Sequence, residues 1–220
     1  MTMPRPALRS IAVAALLCAA AAAQAQDKPV MLKLSSWVPA QHALNPSLIA
    51  WAEDIKKASN GTITFSFFPG EQLGKAFDHY DMARDGIADA SYVNPGYQPG
   101  RFPIFAAASL PFQVANAKGG SAAVDAWYRA YAAKEMKDVQ FCFAFVHDPG
   151  SLHSRKKVVL PTDVKGMKVR PATSTIGQMV TALGGTNVQS SAPEARDMLD
   201  TIPGAPPDDL ARRLPQAIDE

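Results

Sequence analysis

The chain has 220 residues, 47% of them apolar and 19% charged, with a formal net charge of +2. That length and apolar content suffice for one or two packed α/β units and argue against a disordered chain. Near-balanced charge with no basic run excludes a protein built to wrap nucleic acid or coat an anionic membrane.

Residues 1–25 read as an export leader. Arg5 and Arg9 form a basic start, residues 11–23 an apolar run, and Ala23-Gln24-Ala25 a small-x-small cleavage pattern. Cleavage removes both arginines and no anion, leaving a neutral balance of Lys plus Arg against 20 Asp plus Glu. The apolar run is short for a bilayer, and no later stretch approaches the ~20 apolar residues of a membrane helix, so a periplasmic product without stable membrane insertion is expected. A lipid anchor on Cys18 is disfavoured by bulky Leu17 before it. Cys142 is then the single remaining thiol, expected as a buried core residue in the apolar residues 139–146.

Residues 31–37 open with an apolar-polar strand pattern ending near Pro39. Asn45 as N-cap and Pro46 as first helical residue begin a helix with Leu48, Trp51, Ala52 and Ile55 on one face, stopped by Asn60-Gly61. Residues 62–68 alternate as a half-buried strand, so a parallel crossover is expected. Residues 74–84 predict a second helix ended near Gly86, and residues 87–93 a strand running into the turn Asn94-Pro95-Gly96-Tyr97. One long helix over 118–137, with Val124, Trp127, Tyr128 and Tyr131 at helical spacing, precedes a strand from Val139. Past His147-Asp148-Pro149-Gly150, residues 161–165 predict a helical turn and a short strand leading to Arg170. Ile176, Met179, Val180 and Leu183 then mark a helix face closed by Gly184-Gly185. The class is α/β, with a first lobe over 26–150 and a second over 151–199.

Residues 165–171, Lys-Gly-Met-Lys-Val-Arg-Pro, place an arginine where a strand hands over to a helix. Pro171 biases Arg170 toward extended backbone, and Thr173-Ser174-Thr175 caps the helix. A guanidinium fork beside a helix start suits a carboxylate. Locally, an anion site and a surface salt bridge both remain open. Catalysis has no comparable signal. His42, His79, His147 and His153 lack the spacing of a zinc site, and phosphate-loop, nucleophile-elbow and dinucleotide motifs are absent. Asp78, Asp81 and Asp85 read as a solvated helix face, Trp127 and Tyr131 as packing.

Several stretches in order carry a resemblance: Ser59-Asn60-Gly61, Phe68-Pro-Gly-Glu-Gln-Leu-Gly74, Arg84-Asp-Gly-Ile-Ala-Asp89, Ser109-Leu-Pro-Phe112, and Pro161 through Arg170. Over about residues 30–199 the chain resembles the periplasmic solute-binding subunit of tripartite ATP-independent periplasmic (TRAP) transporters, the DctP family. The resemblance implies a periplasmic-binding-protein-like fold of two α/β lobes closing over a small organic acid, which is delivered to TRAP membrane permease subunits, with no cofactor, no metal and no enzymatic activity. It makes Arg170 the carboxylate ligand and turns Trp37, His42, Tyr92, Asn94 and Tyr97 toward the cleft. His147 and His153 join the candidate ligand-binding residues, in a segment similar to that of relatives with a Pro-Gly-x-x-His-Thr-Arg stretch.

Where many dicarboxylate-binding relatives have another arginine, this chain has residues 147–153, which favours a monocarboxylate, aromatic or hydroxylated. Residues 200–220 are Pro-rich and unlike the strand and helices by which relatives continue. The second lobe is therefore expected to be incomplete, as in a truncated or frameshifted reading, with a non-functional relic as one outcome. A ligand-binding partner of a sensor also fits the pattern, and a secreted enzyme using His147, Asp148, Ser151 and His153 is the remote competitor.

Overall fold

The computed structural model describes residues 28–198 except 155 and 196. The expected leader over 1–25 and the Pro-rich segment over 200–220 lie outside the described residues. Two parallel sheets organise the rest. β1 (Val30–Ser35), β2 (Ile63–Phe68) and β3 (Ala90–Ser91) form the first, in the order β2-β1-β3. Val30 lies opposite Ile63 and Ser35 opposite Phe68.

The crossover between β1 and β2 is α1 (Leu44–Ala58), as the sequence predicts. Its apolar face buries Leu48 and Ala52 against Leu34, with Trp51 and Phe65 at the margin. It ends where Asn60 and Gly61 take left-handed backbone, φ 51° and 80°, a conformation cheap for glycine and tolerated by asparagine.

Its start corrects the sequence reading: Asn45 is not the N-cap but lies inside the first turn, 2% exposed. Its amide donates to the Pro39 and Ala40 carbonyls at 2.7 and 3.2 Å and accepts from Ser36 Oγ at 3.2 Å. A side chain stapling the preceding loop has no oxygen left for its own helix. His42 does that work instead, its Nδ1 accepting from Leu44 N at 3.1 Å.

Beyond β2, a 3-10 turn over Ala76–Asp78 leads into α2 (His79–Arg84). The strand expected over 87–93 shrinks to Ala90–Ser91, because the N–H groups of Ile87 and Ala88 are taken by the Met82 carbonyl at the helix end. A 3-10 turn, Pro95–Tyr97, follows, then α3 (Pro103–Ala106), α4 (Ala117–Tyr128) and α5 (Ala132–Glu135).

The single helix expected over 118–137 is thus two. Between them Ala130 N and Tyr131 N bond three residues back, to the Trp127 and Tyr128 carbonyls, tightening and ending the α-helical run. The break places Glu135 where its carboxylate accepts from Ile104 N, from Phe105 N at 3.0 Å and from Tyr128 Oη at 2.9 Å. Tyr80, Phe102, Tyr128, Ala132 and Met136 bury around it, with Trp127 and Tyr131 packed alongside as expected.

No strand forms over 139–146. Two of its amides donate to side chains of α4 rather than to a ladder: Ala144 N to Asp125 Oδ1 at 2.8 Å and Val146 N to Ser121 Oγ at 3.0 Å. Gly120 permits the approach, since a Cβ there would stand 2.9 Å from Val146 Cγ2 and closer still to Val114. Cys142, expected buried, is exposed. An apolar run made it look like core, but without a neighbouring strand one side of the segment faces outward.

The second sheet pairs β4 (Lys168–Val169) with β5 (Thr186–Asn187), joined by α6 (Ser174–Ala182). The expected helical turn is the 3-10 turn Pro161–Val164. Val164, Val169 and Val180 form this unit's core, edged by Val158, Met167 and Leu183. The buried stripe of α6 runs through Gly177 and Val180, leaving Met179, expected inward, 42% exposed. Asp81, expected on a solvated face, is held by Arg101 through two hydrogen bonds of 2.8 and 2.9 Å.

Candidate functional site

The site lies where the end of β4 meets the turn after β3. The Thr173 hydroxyl accepts from Ile176 N at 3.4 Å and caps α6, as the sequence predicts, while Val169 anchors the residue before Arg170 in the valine core. Arg170 then reaches across to the first sheet's unit. Its Nε donates to the Ser190 carbonyl at 3.0 Å and its Nη2 to the Tyr97 hydroxyl at 2.9 Å. Among the described residues those are its hydrogen bonds and it makes no ion pair, so most of its five N–H donors remain unused.

Tyr97 ends the 3-10 turn that Asn94 starts, with the Asn94 side-chain oxygen accepting from Gly96 N at 3.0 Å. A Cβ on Gly96 would stand 2.6 Å from Thr173 Cγ2, so glycine is what lets this turn touch the cap of α6. Phe77, Gly96, Tyr97, Pro171, Thr173 and Ser190 line a small hollow beside the guanidinium's partners.

Trp37, 5% exposed, stacks on Tyr92 with centroids 5.0 Å apart and an interplanar angle of 15°, and leans on Tyr97 at 5.4 Å. These rings belong to a row running Phe65, Trp51, Phe143, Phe145, Tyr92, Trp37, Tyr97, with neighbouring centroids between 5.0 and 6.2 Å. Burial, then the nearby Tyr97, pushes the Tyr92 phenol well above its ordinary range, so it stays protonated. Trp37 Nε1, Ser35 Oγ and Ser91 Oγ are buried without a partner among the described residues.

Behind Arg170, Glu194 accepts from Ser191 N and Oγ, both at 2.9 Å. Those bonds hold its carboxyl below the usual carboxylate range, with the Lys75 and Arg170 charges adding to the effect. His79 lies fully buried under the turn, with Nε2 3.3 Å from the Gly74 carbonyl and no hydrogen-bond partner for Nδ1 among the described residues. Burial lowers its pKa and so favours the neutral ring, and the Gly74 carbonyl accepts a proton carried on Nε2.

Of the residues singled out in the sequence, Arg170, Tyr97, Trp37 and Tyr92 come together directly. Asn94 adjoins them, with its oxygen spent on the turn. His42 is a loop and helix-start residue, His147 is exposed with its ring edge against Phe145 at 5.8 Å, and His153 is exposed; none of the three is among the hydrogen-bond partners of Arg170 in the described residues. The sequence reading missed Ser190 and Ala192, which act through backbone atoms and leave no side-chain signature. It also passed over Gly96, for which the Pro-Gly turn was a usable signal.

The family model DctP, described as bacterial extracellular solute-binding protein, family 7, matches residues 34–197. The chain belongs to the DctP family. Its fold is α/β, close to the two-lobed TRAP solute-binding proteins. One from Rhodoferax ferrireducens, solved with copurified benzoate, superposes with a TM-score of 0.73 at 33% identity, over 78% of this chain and 54% of that one. A marine metagenome protein specific for aromatic acid ligands, solved with 3-hydroxybenzoate, gives 0.74 at 35% identity, over 79% and 55%. A third, from Bordetella bronchiseptica with bound (R)- and (S)-mandelate, gives 0.73 at 34%, over 79% and 56%.

A curated relative, "Outer membrane transporter protein TsaT" of Comamonas testosteroni, is 28% identical over 193 residues, 86% of this chain and 56% of that protein. The chain spans about half the length of the curated relatives it matches. No described helix is long and apolar enough to cross a membrane.

Proposed function

We propose that this chain serves extracytoplasmic capture of an organic acid, a monocarboxylate with an aromatic body in preference to a dicarboxylate, for delivery to a TRAP membrane permease. On this reading the leader over 1–25 directs export to the periplasm. Residues 26–150 and 151–199 belong to two lobes that close around the ligand. The observation that carries it is Arg170: oriented by the Tyr97 hydroxyl and the Ser190 backbone carbonyl, it makes no ion pair among the described residues and keeps most of its donors for an anion. The ring row ending at Tyr97 offers an apolar wall next to that charge. Three solved relatives hold benzoate, 3-hydroxybenzoate and mandelate, each with one carboxylate on an aromatic ring or side chain. Capture follows from closure, stabilised by contacts made only when the ligand bridges the units.

Isothermal titration of the 220-residue chain with benzoate, mandelate and succinate tests this. The aromatic acids bind and succinate binds more weakly. Arg170→Gln reduces benzoate affinity by roughly 100-fold, the loss expected when one partner of a buried charge pair is removed. Preferred binding of succinate, or unchanged affinity in the Arg170 variant, sinks the reading.

A further inference from the structure

Tyr97 does something that an apolar wall does not. Its hydroxyl oxygen accepts from Arg170 Nη2 and from Ala192 N, each at 2.9 Å. These donors belong to separate segments, one just after β4 and one in the turn after β5, while Tyr97 itself ends the turn after β3. The ring is clamped between Phe77 at 5.0 Å and Trp37 at 5.4 Å, and the residue is 6% exposed. One atom of the first sheet's unit thus fixes two points of the second.

The choice of a phenol matters. A carboxylate in this place would orient the guanidinium and also neutralise it, competing with any incoming anion. A phenol oxygen accepts from both donors without setting a carboxylate against the guanidinium. The Gly96 to Thr173 contact places a second touching point one residue away.

We infer that the Tyr97 hydroxyl is a closure latch and positioning group: it ties the two units together and sets the angle at which Arg170 presents its free donors, so that carboxylate recognition and closure depend on the same atom. The carboxylate part rests on the function proposed above; the latch itself does not.

Two measurements on the full chain separate the latch from the function. The first is a double-mutant cycle of Tyr97→Phe and Arg170→Gln on urea unfolding without ligand. Tyr97→Phe keeps the ring and removes the shared oxygen. Latching gives non-additivity of about fivefold or more in the unfolding constant, the range found for residues sharing one hydrogen-bond network; additivity within about twofold overturns it. The second compares benzoate with benzamide. Tyr97→Phe weakens benzoate by about tenfold or more and benzamide by much less, whereas an unchanged benzoate-to-benzamide ratio overturns the positioning role.

Non-additivity in a chain that binds no carboxylate supports the latch and removes the proposed function. Benzoate binding with full additivity does the reverse. If Tyr97→Phe does not fold, amide exchange at Ala192 in the unaltered chain decides: protection that rises with benzoate supports the latch, and exchange as fast as in an exposed loop overturns it.

Discussion

β1 and β2 pair along their full six-residue lengths beside a core of Leu34, Leu48 and Ala52 edged by aromatic rings, and a second, aromatic cluster lies around Tyr80 and Tyr128, whereas β4 and β5 are two residues each over a core of three valines. The larger unit thus holds most of the buried apolar residues among those described, and the smaller one holds the arginine. On the proposed function, recognition chemistry sits on the part of the molecule least able to stabilise itself, and the arginine is steadied by a tyrosine from the other part. An arginine on a weakly packed unit can move with that unit, as the closure proposed above would require.

The comparison breaks most directly at the two cores. Tyr128→Ala empties a fully buried position and deprives Glu135 of a donor; a loss of about 3–5 kcal/mol is expected in urea unfolding. Val180→Ala removes far less volume and costs about 1–2 kcal/mol, seen as faster amide exchange over α6 with the first sheet unchanged. Equal global losses would mean that the two units unfold as one.

Gly96→Ala tests the junction. The added Cβ must displace Thr173, so a cost of about 1–3 kcal/mol in stability, of the kind that overpacking brings, accompanies weaker benzoate binding. A variant with unaltered binding would remove the need for close contact between the turn and α6.

The smallest effect concerns pH. The folded-state pKa of buried His79 lies below its ordinary 6.5, through burial. The unfolded chain therefore binds its proton first, and stability falls as pH drops below about 6.5 and through the folded value. Melting temperature should fall gently from pH 7 to pH 5, less so in His79→Gln. Asp81 and Glu194, held below their usual range by Arg101 and by Ser191 respectively, lose their stabilisation only in more acid solution. A flat profile between pH 7 and 5 would contradict the buried neutral ring.

Much of the larger unit was legible. Residues 30–68 announce strand, helix and strand through periodicity and the Asn60-Gly61 stop, because those signals are local. The strand expected over 139–146 was not, since a strand needs a ladder partner and an apolar run says nothing about who supplies it. Asn45 misled for a related reason: its type suits a cap, but its hydrogen bonds go to Ser36, Pro39 and Ala40. Arg170 stood out by its place in the motif, while the oxygen that holds it comes from 73 residues earlier in the chain.

The row of rings has an optical consequence. Trp37 lies nearly parallel to Tyr92 and is one ring from the hydroxyl that touches Arg170, and Trp51 sits farther along the same row, whereas Trp127 belongs to the separate Tyr80 and Tyr128 cluster. Stacked chromophores at 5.0 Å couple their excited states and are sensitive to small rotations. Near-ultraviolet circular dichroism and Trp37 emission thus give the molecule its own label-free gauge of whether the arginine is engaged, with Trp127 as an internal reference.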